Sequence, residues 1–126
     1  PGALELVREL AKKFPLALIT NGIAAVQNKR FAASPITAYF QSIVISEEVG
    51  IAKPDPRIFR PALETIGVAA ADVLYVGDSV SSDMAAARNA GMDFCWVNPG
   101  GIEVPPGFSP VHTIVSVSEL HACPGL

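Results

Sequence analysis

Asp78 and Asp83 flank a hydroxyl-rich turn, Ser79-Val80-Ser81-Ser82, early in the second half of the chain. The apolar run Val73-Leu74-Tyr75-Val76 precedes them and stops at Gly77, and alanine-rich sequence from Met84 to Ala90 comes after. A buried strand that feeds a helix would set Asp78 at the C-terminal tip of the strand, where open α/β sheets bind ligands. Asp83 would then stand in or near the first turn of the helix. Two carboxylates converging on one crevice suit a hard divalent cation such as Mg²⁺, which takes one or two carboxylates and shares its other positions with water and phosphate oxygens. The same residues also fit a plain helix start, with Asp78 or Ser79 as the N-cap. Taken alone, the segment leaves both readings open.

Two further polar signals come after apolar runs. Thr20-Asn21-Gly22 closes Leu16-Ala17-Leu18-Ile19. A hydroxyl, an amide side chain and backbone N–H groups at a helix start favour an anion, because the helix dipole is positive there. A helix cap with a glycine turn accounts for them equally well. Lys53 precedes Pro54, which biases the backbone before it toward extended conformations. A lone lysine is ordinarily solvated surface. In a chain of alternating strands and helices, however, Lys53 lies just past a strand end, on the sheet edge shared by Thr20 and Asp78. An ammonium there would neutralise phosphate charge and pair with Asp83. Thr20, Lys53, Asp78 and Asp83 together make a phosphate-plus-metal site, and coincidence of all four is far less expected than coincidence of any one.

The elements that must position these residues are legible from periodicity. Leu4, Val7, Leu10, Ala11 and Phe14 recur at helical spacing up to Pro15. Leu16 to Ile19 is a short strand, Ala24 to Ala33 a helix, and Ser42 to Ser46 a strand. Asp55 and Pro56 read as the N-cap and first position of a helix that carries Pro61 and exits at Gly67. A kink is expected at Pro61. Val73 to Val76, Phe94 to Val97 and Thr113 to Val117 are further strands, with a helix ending at Gly91 and a Pro- and Gly-rich loop over 98–110. A short helical turn is expected near Ser118 to Ala122. Strands alternating with helices imply βαβ units, and strands that are apolar at successive positions imply cover on both faces. The expected fold is α/β, a three-layer sandwich around a Rossmann-like, mostly parallel sheet, in one domain over 1–126.

Composition narrows the classes. Half of the 126 residues are apolar, net charge is −3, and mean hydropathy is +0.39. No basic run extends beyond Lys12-Lys13 and Lys29-Arg30, so nucleic-acid binding has no electrostatic support. No apolar stretch is long enough for a membrane helix, and the first residues have no secretory-signal pattern. Cys95 and Cys123 read as two ordinary thiols, with a single disulfide unsupported. A cytoplasmic protein is the expectation. Phe14, Phe40 and Phe59 read as packing, and Phe94 and Trp96 as core or a wall near the site. Cys95 reads as a small buried hydrophobe. Glu47 and Glu48 read as a solvated helix start, Asp93 as a turn residue, and His112 and His121 as surface.

ITNG, AKP and GDSVSSD, in that order, resemble the second, third and fourth motifs of the haloacid dehalogenase superfamily of phosphohydrolases, over roughly residues 1–120. The resemblance implies a HAD-like core in which Thr20, Lys53, Asp78 and Asp83 are catalytic. Thr20, Asn21, Gly22 and Lys53 would bind the phosphate-bearing substrate. Mg²⁺ would be held by Asp78 and Asp83, with Asp78 as direct ligand and Asp83 as partner to the metal waters and Lys53. ITNG with Gln27 and Arg30, VISEEVGIAKPDPRIF, and Cys95-Trp96-Val97-Asn98 resemble the pyrimidine 5′-nucleotidase branch, which implies a nucleoside monophosphate as substrate.

The family's first motif, Asp-x-Asp, does not occur in these 126 residues. Its first Asp is the nucleophile and its second the acid–base, both needed for covalent phosphoryl transfer. A helical cap domain is absent as well, and Pro1 falls about where such a cap would return to the core. The resulting expectations are little or no phosphatase activity from this chain alone, and a sheet lacking its first central strand. The two strand edges left unpaired would invite self-association or a complementing N-terminal segment. The alternative is a non-catalytic HAD-like interaction or oligomerisation module. A receiver-type signalling domain fits worse, because Lys53 precedes Asp78 and no isolated acceptor Asp ends a strand before it.

Overall fold

Helix and strand alternate through much of the sequence, as the apolar periodicity predicts, in a computed structural model that describes residues 3–123. The backbone divides into two compact units, Pro1–Ala52 with Arg57–Gly67 and Lys53–Pro56 with Val68–Leu126.

The first unit opens with helix α1 (Ala3–Lys13), acidic in its first turn and basic in its last, which suits the helix dipole. Its most buried side chain is Leu6, with Leu4, Val7, Leu10, Ala11 and Phe14 half-buried around it. Strand β1 (Ala17–Thr20) pairs in parallel with β2 (Ser42–Ile45), from Ala17 opposite Ser42 to Thr20 opposite Ile45. Helix α2 (Ala24–Ala33) connects them and buries none of its residues. A one-turn helix α3 (Ser46–Val49) begins where the sequence predicts the last residue of β2. The core of this unit is Ile19, Val44, Ile45, Ile58, Phe59 and Ala62.

Helix α4 (Arg60–Ile66) starts later than the sequence suggests. Pro56–Phe59 is a separate 3₁₀ turn, and Pro61 falls in the first turn of α4. A missing N–H costs no intrahelical hydrogen bond at that position, so no kink is needed. Gly67 ends α4 in the left-handed region at φ 79°.

The second unit holds β3 (Leu74–Gly77), β4 (Asp93–Val97) and β5 (His112–Ile114) in that order, all parallel. Between β3 and β4 come a π-turn (Val80–Met84) and helix α5 (Ala85–Ala90). Phe94, Cys95 and Trp96 of β4 are buried, together with Met84, Ala86, Ala87, Ile114 and Leu120. Cys95 and Cys123 are both free thiols and both buried, and burial pushes the Cys95 thiol up to about 11.

The strands form two sheets, β1-β2 and β3-β4-β5, so β1 and β3 are each end strands, as expected of a sheet lacking its first central strand. Two expectations are corrected. LALI and VLYV are half-buried along nearly all their length, and not covered throughout. An end strand has a ladder neighbour along one edge only, and that limits its burial. Finally, β5 stops at Ile114. Glu119 Oε2 accepts from the backbone N–H groups of Val115 and Ser116, at 2.5 and 2.8 Å. A capping box with Ser116 starts the 3₁₀ turn Val117–Ala122 and draws the chain out of the ladder, leaving Val115 and Val117 exposed. His112 is half-buried within β5. The side chain of His121 lies outside the described residues.

Candidate functional site

Strand β3 ends at Gly77 and delivers Asp78 to its C-terminal tip. Ser79 is the N-cap of the π-turn, its Oγ accepting from the Ser82 N–H at 3.2 Å. The capping role that the sequence allowed for Asp78 or Ser79 thus belongs to Ser79. The π-turn over Val80–Met84 swings Asp83 back toward β3 and buries it to 6% exposure.

Each Asp83 oxygen takes two donors. Oδ1 accepts from Lys53 Nζ at 2.5 Å and from the Tyr75 hydroxyl at 3.0 Å. Oδ2 accepts from the backbone N–H groups of Asp78 and Ser79, both at 3.3 Å. Lys53 Nζ also donates to the Tyr75 hydroxyl at 3.2 Å. Lys53 itself sits before a cis peptide to Pro54, whose carbonyl accepts from Asn89 Nδ2 at 3.4 Å. The Lys53–Asp83 pair is an ion pair with side chains 10% and 9% exposed.

Burial opposes ionisation of the Asp83 carboxyl, but the Lys53 ammonium, the Ser79 N–H and the Tyr75 hydroxyl outweigh it and hold the group below the usual carboxylate range. Burial and the Asp83 charge push the Tyr75 phenol well above its ordinary value, so it stays protonated.

The close fit explains Gly77. A Cβ there would come within 2.6 Å of Asp83 Cβ, Cγ and Oδ2. Beneath the loop, the indole N–H of Trp96, 2% exposed, donates to the Asp78 carbonyl at 3.1 Å. The expectation that Trp96 packs as core or wall near the site is met, with a hydrogen bond to the motif in addition.

Asp78 differs from Asp83. It is exposed, and its carboxylate has no hydrogen-bond or ion-pair partner among the described residues. A single unengaged hard oxygen donor at a strand tip fits Mg²⁺ held through one carboxylate, with water and substrate oxygens in the other positions. Among the described residues no group of three or more His, Cys, Asp or Glu side chains gathers into a complete protein cage. Asp83, with both oxygens already engaged, is built to hold Lys53 and the Asp78 loop.

The sequence-predicted residues fall in both units. Lys53, Asp78 and Asp83 come together in the second unit, whereas Thr20, Asn21 and Gly22 lie in the first. In the first unit Thr20 Oγ1 donates to the Asn21 carbonyl at 3.2 Å and accepts from Gln27 Nε2 at 3.5 Å. The Gly22 N–H donates to Ser46 Oγ at 3.0 Å, and the Ala24 N–H to Glu47 Oε1 at 3.0 Å. Glu48 Oε2 accepts from Asn28 Nδ2 at 3.1 Å. Glu47 and Glu48 are exposed, as expected, but they also tie α3 to α2. A carboxylate already stands at the start of α2, where an anion is favoured.

Two participants escape the sequence reading. Tyr75 is hidden in an apolar run. Its only signal is a polar tip on a strand residue near the strand's C-terminal end, which needs a partner when buried. Glu47 is hidden because its partner, Ala24, is distant in sequence.

The profile of the haloacid dehalogenase-like hydrolases matches residues 1–97. The pyrimidine 5′-nucleotidase YjjG of Escherichia coli (strain K12) is 41% identical over 121 residues, 95% of this chain and 54% of that protein. The phosphoserine phosphatase of Thermus thermophilus is 42% identical over 95 residues, 75% of this chain and 38% of that protein. Among solved structures, the putative HAD-hydrolase YfnB from Bacillus subtilis bound to magnesium aligns with a TM-score of 0.88 at 34% identity, covering 96% of this chain and 54% of that one. The 2-haloacid dehalogenase from Pseudomonas syringae pv. Tomato aligns with a TM-score of 0.84 at 37% identity, covering 97% and 51%. The chain spans about half the length of the curated relatives it matches.

Proposed function

The chain belongs to the haloacid dehalogenase-like hydrolases, and from that premise we propose that it carries the phosphate-handling and Mg²⁺-handling portion of a phosphomonoesterase for nucleoside monophosphates. The observation that carries the proposal is the buried Lys53–Asp83 pair beside the unengaged carboxylate of Asp78. Lys53 would steady charge on a transferring phosphoryl group. In the first unit, Thr20 with Asn21 and Gly22 would supply a phosphate-binding motif of its own. Asp78 would hold Mg²⁺ directly, with Asp83 behind it. When bound, the ion would neutralise phosphate charge. The pyrimidine 5′-nucleotidases among the relatives support the nucleotide assignment. The two free thiols are compatible with a reduced cytoplasmic setting. Among the described residues no helix is long and apolar enough to cross a membrane.

These 126 residues contain no Asp-x-Asp. Positioning and charge stabilisation are present without the nucleophile, so the chain by itself should bind phosphate with Mg²⁺ but turn over little or nothing. Robust Mg²⁺-dependent hydrolysis of p-nitrophenyl phosphate or UMP by the pure chain would sink that part of the proposal. Absence of any Mg²⁺-linked phosphate binding by calorimetry would sink the rest.

The end positions of β1 and β3 favour a second reading, in which this fold serves as an interaction or oligomerisation module. Supplying a peptide that contains a strand followed by Asp-x-Asp separates the two. Restored turnover favours the enzyme, and association without turnover favours the module.

A further inference from the structure

A glutamine side chain folds back over the tip of β1. Gln27 belongs to the first turn of α2, yet its amide nitrogen lies 3.5 Å from Thr20 Oγ1, seven residues earlier. Gly22 leaves the space that this side chain crosses. A Cβ at position 22 would stand 2.6 Å from Gln27 Nε2 and 3.1 Å from its Cγ. The Gly22 backbone is outside the left-handed region, so glycine is needed here for room and not for its dihedral freedom. The amide is thereby set, half-buried, beside the Thr20 hydroxyl.

Three donors at this turn are already engaged. Thr20 Oγ1 donates to the Asn21 carbonyl at 3.2 Å, the Gly22 N–H to Ser46 Oγ at 3.0 Å, and the Ala24 N–H to Glu47 Oε1 at 3.0 Å. A glutamine amide brings two N–H donors and no charge. One reaches Thr20 at a length that marks a weak bond, and the other has no partner among the described residues. Hydrogen bonds to a charged acceptor are the stronger class, so a phosphate oxygen arriving at the Thr20 hydroxyl would draw the amide from its contact with that neutral oxygen. We infer that Gln27 is a ligand-contacting member of the first unit's phosphate-binding motif, its amide admitted by Gly22 and donating to the phosphate beside the Thr20 hydroxyl. The inference deepens the reading of Thr20, Asn21 and Gly22 as such a motif and rests on it.

The test titrates inorganic phosphate into the 126-residue chain and follows backbone and side-chain amides by nitrogen-15 NMR. The Gln27 side-chain amide should move along the same binding curve as the Gly22 backbone amide. The Asn28 side-chain amide, next in sequence and held by Glu48 Oε2 at 3.1 Å, should stay in place. Gln27→Met keeps the length of the side chain and removes both donors. It should weaken phosphate binding roughly threefold to tenfold. Its melting temperature should change by only a few degrees, because α2 buries none of its residues. Gly22→Ala pushes the amide aside, so it should weaken binding in the parent chain but add nothing in a Gln27→Ala background. A Gly22 amide that moves while the Gln27 side-chain amide stays overturns the inference and leaves the motif standing. Equal phosphate affinity in the parent and Gln27→Met does the same. No shift at Thr20, Gly22 or Gln27 overturns the phosphate reading of the turn, and this inference with it. The parent titration decides between these outcomes without requiring any variant to fold.

Discussion

Asp83 carries four hydrogen bonds on two oxygens, and much of the surrounding sequence answers to it. Gly77 leaves room for its carboxyl group, Lys53 neutralises it, and the N–H groups of Asp78 and Ser79 turn the loop around it. Gly77→Ala should therefore destabilise the chain by about 1–3 kcal/mol, the range for overpacking a tight site, measured by urea denaturation. Asp83→Asn leaves the Lys53 ammonium buried without its counter-charge. Removing one partner of such a pair costs about 3–5 kcal/mol at neutral pH. The cost should depend on pH with a definite sign. The Asp83 carboxyl titrates below its ordinary range in the folded chain, so the unfolded chain binds this proton first as pH falls. Its contribution is complete above about pH 4 and fades below that. Denaturation of both chains at pH 7 and pH 3 should show the gap between them narrowing at the lower value, and an undiminished gap would contradict the assignment. Lys53, Asp78 and Asp83 were legible in the sequence because polar residues after apolar runs announce strand ends. Tyr75 was not, because a strand's apolar pattern does not reveal which of its residues finds a polar partner across the fold.

Helix α2 shows how an element can persist with little packing. None of its residues is buried, and Val26, like Ile23 just before it, is more than half exposed. Its ends are tied instead. Glu47 and Glu48 of α3 hold Ala24 and Asn28, and Thr37 Oγ1 donates to the Phe31 carbonyl at 2.8 Å. A carboxylate at a helix N-terminus contributes roughly 0.3–1 kcal/mol at an exposed site. Glu47→Ala should thus speed amide hydrogen exchange in the first turn of α2 by about twofold to fivefold, while amides of β2 keep their protection. Periodicity located the elements well here, since α2 occupies the span expected. Where the sequence misjudged a boundary, a local polar competitor or a proline was the cause. Glu119 claims the backbone that would have prolonged β5, and Pro61 takes the first turn of α4 because its ring nitrogen has no proton to donate.

At the level of the molecule, alternation of strand and helix sufficed to identify an α/β fold with parallel pairing. The division of that pairing into a two-stranded and a three-stranded sheet was legible only as a gap expected by comparison with the family, because register between distant strands leaves no local trace. Both β1 and β3 end their sheets, and open edges of this kind recruit further strands. Sedimentation velocity across a wide concentration range should show reversible association of the purified chain. A single monomeric species at the highest concentration would count against it. Trp96 adds a practical consequence. It is the chain's one tryptophan, and it is buried with its indole N–H on the Asp78 carbonyl. The protein therefore contains its own fluorophore at the base of its acidic loop. Emission should redden when the whole fold melts. It should also respond, without melting, when Mg²⁺ is titrated in, and Asp78→Asn should silence that second response alone.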